Sequence, residues 1–573
     1  TSAIGEEWYG GYCYIDNLNP EAVEAFLRST YDAYYKRVGK WFGSAVPGIF
    51  TDEPHIAPSV PGQRRAKHPV YALPWTKDFP QYFEERKGYD LRDHLPRLFF
   101  DVGDYMKVRY DYWDTVTDLF LGAYTKKLFD WCEKHGLKYT GHYLAEDTLT
   151  SQIRCAGAAM PHYEFMHVPG IDHLGKNIDH PLTVKQVSSV AEQLGKERVL
   201  SETYGCSAQS FSFEGRKWIG DWEYILGVNL LNHHLSLYTM RGLRKRDYPP
   251  NLFYQQPWWK HNRLIEDYFA RLSYALSRGK RTVDILVIHP VASAWTVYTP
   301  LNLKPAERLN ASLEWLVKTL LNLHRDYELG DEKIIKGHGK VEGSSFVIGN
   351  SVYKAVILPP SITLSRNTFN LLQEYVNNGG KFIALKPTPH LIDGQESKDI
   401  QKVLSKAHVI EDGDEEALAK ALKPILPRVE ISGLNGEKVQ EVWYHLRQDG
   451  DQQILFLANT STERGFQTTV KLQGAGGVEE WNPFTGKVSP VPSRSEDGYA
   501  VFNLDFPPVG SHLIVLDPKK KALAPKAAET EKIITEILLG DEWSYRRLDL
   551  NALTLDYGRV KLENEKYGDL LPI

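Results

Sequence analysis

Apolar positions recur at helical spacing between residues 20 and 43, where Val23, Phe26, Leu27 and Tyr34 share a face, Asn19 can cap and Pro20 stands in the first turn. The run "GIFTD" (48–52) that follows is a predicted strand. An insertion rich in Pro, Arg and Asp covers about 54–105, and an amphipathic stretch at roughly 108–135 predicts a helix closed by Gly136. The alternation then continues. "LKYTGHYLAED" is a predicted strand with His142, Tyr143, Glu146 and Asp147 at its end, "YEFMHVPGIDHL" a strand plus loop, and "TVKQVSSVAEQLG" a helix. "RVLSETYG" is a strand, "DWEYILGVNLL" a helix and "HHLSLYTM" a strand. Strand then helix, with acids and polar residues at each strand's C-terminal end, predicts a (β/α)8 TIM-type barrel.

A closed barrel of this type has eight strands, and residues 1–280 supply about five. If "HHLSLYTM" is the eighth, "GIFTD" is the fourth. Residues 1–280 are therefore expected to be the C-terminal part of a catalytic barrel, with a companion segment supplying the missing strands. From "RTVDILVIHP" onward, strands and helices alternate again, predicting a flavodoxin-like, doubly wound α/β module over 281–426. Gly379 and Gly380 close a helix there and form no GxGxxG, which speaks against a nucleotide site. Past about 427 the period becomes two ("EVWYHLRQ", "QQILFLANTS", "TTVKLQG", "SHLIVLD"), predicting a β-sandwich over 427–518. Residues 519–573 are expected to be a Lys/Ala/Pro linker and the start of a further, truncated β-domain.

Composition narrows the function. The net charge is −5 with both signs interspersed, so a nucleic-acid partner is not expected. No apolar run approaches the ~18 residues of a membrane span. Cys13, Cys132, Cys155 and Cys206 show neither CxxC nor zinc-finger spacing, and they assign no compartment. Many of the 14 Trp and 32 Tyr cluster before residue 300, in "YDAYYKRVGKWF" and "YQQPWWKH" among others. Such rings offer a flat apolar face and a polar edge, which suits sugars.

Candidate chemistry lies at the strand ends. Asp52 and Glu53 are adjacent at the end of "GIFTD", Glu146 ends the next strand and Glu202 follows in "LSETYG". Neighbouring carboxyl groups push one another's pKa apart, and two of them across a sugar-sized cleft suffice for glycoside hydrolysis. His55, His142, His173, His233 and His234 stand at or just beyond strand ends, where a neutral imidazole can hydrogen-bond a sugar hydroxyl or serve structure alone. Asp172, after a Pro-Gly turn, can bind a hydroxyl or cap a helix; Tyr143, Tyr204 and Trp258 are candidate sugar contacts. None of these histidines stands in HExxH spacing.

Taken in order, "NPEAVEAFLRSTYDAYYKRVGKWFGSAVPGIFTDEPH", "GHYLAED", "VPGIDHL", "SETYG", "YPPNLFYQQPWW" and "LVIHP" resemble the catalytic region of glycoside hydrolase family 106, the α-L-rhamnosidases, over about residues 1–520. The resemblance implies an inverting hydrolase acting on a glycoside, oligosaccharide or polysaccharide, with Glu53, Glu146 and Glu202 matching the active-site acids. It also implies a calcium ion near the sugar. Two alternatives stay open: a retaining β-galactosidase-like hydrolase with Glu53 as acid/base and Glu202 as nucleophile, and a non-catalytic sugar-binding protein.

Overall fold

A computed structural model describes residues 12, 14–58, 71–239, 241, 248, 251–524, 534–548, 555 and 557–572. Five parallel strands position the site: β1 (Gly48–Thr51), β2 (Lys138–Gly141), β3 (Val168–His173), β4 (Leu200–Thr203) and β5 (Leu230–His233), hydrogen-bonded in that order. The register pairs Thr51 with Gly141, Asp172 with Glu202, and Thr203 with His233. All four positions of β4 are buried, whereas Phe50 on β1 and Asn232 on β5 are exposed. Burial thus falls away toward two strands that have only one neighbour each among the described residues. The fold is mixed α/β with a curled parallel half-barrel, and closure would remove both edges.

Local chemistry explains most of these elements. The Asn19 side chain accepts from the Glu21 amide at 2.9 Å and opens the helix beginning at Pro20, which passes through a π-turn at Leu27–Tyr31. The helical path Tyr105–Lys134 ends before Gly136, whose φ is 67°. Three expectations need correction. "YEFMHVPGIDHL" is not one strand: Pro161 in a first turn starts the helix Met160–Glu164, and β3 begins only at Val168. The expected helix "DWEYILGVNLL" stops at Leu226, because Gly227 at φ 126° cannot continue it. Consequently β5 is Leu230–His233 and not "HHLSLYTM". The insertion after β1 contains the helices Phe79–Lys87 and Leu95–Phe99; residues 59–70 lie outside the described residues, as does Cys13.

A second parallel sheet follows: β6 (Ile285–Ile288), β7 (Tyr327–Gly330), β8 (Ala355–Leu358), β9 (Lys381–Leu385) and β10 (His408–Ile410), in the order β10-β9-β8-β6-β7. Its core is continuous with that of the half-barrel, joining Tyr139 and Val187 to Leu286 and Ile357. Polar clamps reinforce the junction: Trp295 Nε1 donates to the Gly157 carbonyl at 2.7 Å, and buried Lys185 meets buried Asp326 at 2.9 Å. Between Val429 and Asp517 the strands belong to four- and six-stranded antiparallel sheets that share one cluster, including Ile431, Leu457, Val470 and Phe502, while Trp443, Ile454 and Phe456 join the main core. The six-stranded sheet also takes in Lys280–Arg281, which pairs with Gln448 and Arg447. The linker expected after 519 lies outside the described residues over 525–533. Among the described residues, no helix is long and apolar enough to cross a membrane.

Candidate active site

Consecutive strand residues point to opposite faces, which would separate Asp52 from Glu53. The chain escapes that alternation at the end of β1, where Glu53 takes φ 51°, a left-handed conformation uncommon for a side chain of this kind. Both carboxylates thereby converge on the same imidazole: Asp52 Oδ1 lies 3.3 Å from His142 Nε2, and a Glu53 oxygen belongs to a group within 4.8 Å that includes a His142 nitrogen. Ala145 (φ 54°), Tyr204 (φ 74°) and Cys206 (φ 59°) repeat the device beyond β2 and β4. Backbone strain of this kind, of order 1–3 kcal/mol per residue, gathers at functional sites.

His142 follows β2 directly and is fully buried. Its Nε2 faces Asp52 at 3.3 Å and Asp172 Oδ2 at 4.0 Å, and its Nδ1 faces Glu202 Oε2 at 3.6 Å. These are ion-pair separations; neither nitrogen makes a well-formed hydrogen bond. His234, beyond β5, approaches Glu202 Oε1 at 3.7 Å from the other side. Phe50 sets its ring against that of His142 with centroids 5.7 Å apart.

The electrostatics divide the acids. The close approach of His142 at 3.3 Å holds Asp52 below the ordinary carboxylate range. Burial raises Glu53, helped by Asp52 and Glu202, and burial also raises Glu202 against the pull of His142 and His234. Burial together with the charges of Glu202, Glu53 and Asp52 pushes Asp172 up to about 7. His142 moves to about 9, because the Asp52 contact and the charges of Asp172, Glu146 and Glu202 outweigh its burial. The cluster therefore combines groups that hold a proton near neutral pH with groups that have lost it, as proton donation and acceptance require.

Asp52, Glu53, His142, Asp172, Glu202 and His234 are brought together, and the other predicted residues have partners of their own. Glu146 is buried, accepts from the Tyr163 hydroxyl and is raised to about 8 by burial, within electrostatic reach of His142 and Asp172. Tyr143 shares a 2.7 Å hydrogen bond with Thr125 in the core. Tyr204 is buried against Phe211 and Ile219 and donates to the Arg216 carbonyl at 3.0 Å. His173 is bound to the Asn177 carbonyl at 2.8 Å and tilted against Trp222. His55 stacks on Tyr14, and His233 lies edge-on to Tyr204. One face of Trp258 is covered by the Arg216 guanidinium at 4.5 Å. Sequence reasoning missed Tyr163, which it placed in a strand, and Glu223, fully buried beneath β4 and accepting from Ser201 at 2.7 Å; both are ordinary helix positions with no local signal.

Two groups of donors could hold a metal ion by proximity, Asp52–His142–Glu202 and Glu53–His142–Asp172. Calcium takes about six to eight oxygens and no imidazole. Asp52, Glu53, Asp172 and Glu202 offer oxygens of the kind calcium takes, and these carboxylates would hold the ion, which would bind sugar hydroxyls; the His142 imidazole is not such a donor.

The family model for glycoside hydrolase 106, α-L-rhamnosidase, matches residues 10–495. The chain belongs to this family. Family 106 membership agrees with the structural comparisons: a rhamnosidase from Novosphingobium sp. PP1Y superposes with a TM-score of 0.70 at 18% identity, over 91% of this chain and 50% of that one. A β-galactosidase from Bacillus circulans sp. alkalophilus superposes at 0.58 and 12% identity, over 87% of this chain and 83% of that one. At such identities these matches establish the fold alone. A protein of Formosa agariphila provisionally named a β-glucuronidase is 23% identical over 384 residues, 65% of this chain and 29% of its own length. The family 106 chain thus spans half of the rhamnosidase and less than a third of the curated relative.

Proposed function

We propose that this chain carries the catalytic face of a glycoside hydrolase that removes a terminal sugar, α-L-rhamnosidase-like in specificity and inverting in mechanism. The observation that supports it most is the convergence of Asp52, Glu53, Asp172 and Glu202 on one imidazole at the C-terminal ends of a parallel half-barrel, where barrel enzymes keep their chemistry. Glu53, raised by burial, protonates the departing glycosidic oxygen; Glu202 takes the proton of the attacking water. Asp172 and Asp52 bind sugar hydroxyls. Residues 281–426 form a doubly wound module and 427–518 a β-sandwich in this reading, and a companion β/α segment closes the barrel along β1 and β5. Beside β1 a cavity of about 630 Å³ lined by Tyr31, Tyr34, Phe42, Ile49 and Phe50 offers apolar surface to such a segment.

Glu53→Gln, in a polypeptide that carries the whole barrel, is expected to lose about 10³-fold in kcat on aryl rhamnosides while folding normally. Retention of more than a small fraction of parental activity would remove Glu53 as the acid. A second reading, a retaining hydrolase with Glu53 as acid/base and Glu202 as nucleophile, is favoured by their positions at the ends of β1 and β4, the fourth and seventh strands if β5 is the eighth. The anomeric configuration of the first-formed sugar, followed by NMR, decides between the two.

A further inference from the structure

The helix Arg263–Leu276 leaves the half-barrel beyond β5, and its Glu266 faces His233 of that strand at 3.8 Å. Further along, its outer side meets the hairpin that joins Gly477–Trp481 to Val488–Val491, and the two enclose a groove of about 510 Å³. Tyr274, about 12 Å past Glu266 along the helix axis, lines the groove from the helix, and Trp481 lines it from the hairpin. Tyr274 is 61% exposed, yet its ring is held: Arg278 Nη1 donates to the hydroxyl at 3.1 Å, and Arg278 Nε donates to Asp449 at 2.7 Å. An exposed ring fixed in this way is a preformed stacking surface with little order left to impose on binding.

Between the rings stands Arg271. Its Nη1 donates to the carbonyls of Pro483 and Phe484 at 2.6 and 3.0 Å, which fixes the guanidinium plane. Among the described residues, Nε and Nη2 meet no protein acceptor and no carboxylate pairs with the group. That edge is the fork that matches a carboxylate or a sulfate with two parallel hydrogen bonds. The hairpin leaves it open: Gly486 stands at φ 70°, and a Cβ there would lie 3.3 Å from Nε and 3.9 Å from Nη2. Arg263 and Asp267, the other charged residues of the groove, neutralise each other at 3.2 Å, so the charge of Arg271 is uncompensated.

We propose that this groove binds an acidic glycan chain, with a uronate carboxylate or a sulfate ester on the Nε–Nη2 fork of Arg271 and sugar rings against Tyr274 and Trp481. That the ligand is a glycan rests on the glycosidase reading; that it is anionic rests on the fork. The groove is separate from the mouth and holds the body of a polymer while its terminal sugar is cleaved.

Binding is read without turnover, by isothermal titration calorimetry on the polypeptide with its complete barrel carrying Glu53→Gln. The probes are tetragalacturonate, a sulfated carrageenan tetrasaccharide and the neutral β-1,4-galactotetraose. One or both acidic probes are expected to bind about 10-fold or more tightly than the neutral one, and to weaken as salt rises. Arg271→Lys, which keeps the charge and loses the fork, and Tyr274→Ala, which removes an exposed ring, are each expected to weaken the acidic probe about 10-fold. Equal affinity for acidic and neutral probes overturns the proposal, and so does either folded variant binding like its parent; if Arg271→Lys fails to fold, Tyr274→Ala decides. Turnover of aryl rhamnosides, measured with Glu53 intact, separates the two readings. Groove binding in a protein that cleaves none of them keeps the site and sinks the glycosidase reading, whereas cleavage by a protein that binds no acidic probe does the reverse.

Discussion

Gly141 ends β2 at φ 130°, paired in register with Thr51 of β1 and Pro169 of β3. A Cβ built there would lie 2.0 Å from the Thr51 carbonyl oxygen and 2.8 Å from both the Thr51 amide nitrogen and Oγ1. Gly141→Ala therefore combines two costs: about 1–3 kcal/mol for holding an L-residue at this φ, and about 1–3 kcal/mol for pushing backbone apart in a packed sheet. Together these come to about 2–6 kcal/mol, which at roughly 2–4 °C per kcal/mol for a domain of this size lowers the half-barrel's melting transition by about 4–24 °C. Thr51 immediately precedes Asp52 and Glu53, so a shift of about 1 Å there displaces both acids and should cost about 10²-fold in activity. Gly136→Ala is the control: its φ of 67° lies in the left-handed α region, which an L-residue occupies at a smaller cost than the 130° of Gly141, and nothing lies within 4 Å of the added methyl group, so collision is absent. Calorimetry and aryl-glycoside assays on both variants separate strain from collision. Equal melting temperatures for the two would refute the argument that the close approach of β1 and β2 at Thr51 excludes a side chain.

Glu146, raised to about 8 by burial from an ordinary 4.5, keeps in the native state a proton that the unfolded chain releases, so stability falls as pH climbs through that interval. Glu146→Gln should flatten this slope in urea titrations from pH 5 to 8, and an unchanged slope would count against a protonated Glu146. Trp258→Ala, which uncovers the Arg216 guanidinium, should destabilise by about 0.5–2 kcal/mol and leave KM unchanged; a large rise in KM would instead make the ring a sugar platform. Residues 1–573 expressed alone should be poorly soluble or inactive, and co-expression with a segment supplying the remaining β/α units should restore activity; a monomeric, cooperatively melting and fully active product would contradict the open-barrel reading.

The alternation of strand and helix was visible in the chain because β2, β3 and β4 are short runs with a histidine or an acid at or next to their ends, and the Asn19–Pro20 cap is a local signal with a local cause. The boundaries around β3 and β5 were less visible: Pro161 and Gly227 punctuate stretches whose apolar composition suits helix and strand equally. At the site, Asp52, Glu53 and Glu202 stood out because acids at strand ends are conspicuous. Glu146 stood out for the same reason, but its burial beside Tyr163, a partner 17 residues away on a helix, leaves no mark in the local sequence. The central place of His142 was not legible at all. It arises from three strands meeting, with no trace in the spacing along any one of them.

The two residues that lead out of the half-barrel, Lys280 and Arg281, are stitched into the six-stranded sheet through Gln448 and Arg447. The same sheet reaches the helix behind β4 directly: Trp218 Nε1 donates to the Thr460 carbonyl at 2.8 Å, and His445 is bound to the Tyr224 carbonyl at 2.8 Å. The modules are consequently not beads on a string. An engineer who trims the chain after the second parallel sheet would strip backing from the wall that carries Glu202, and one who grafts the half-barrel onto another scaffold must bring a sheet from more than 150 residues downstream. Exchange of parts between such proteins is constrained by this lacing, whatever the linker sequences permit.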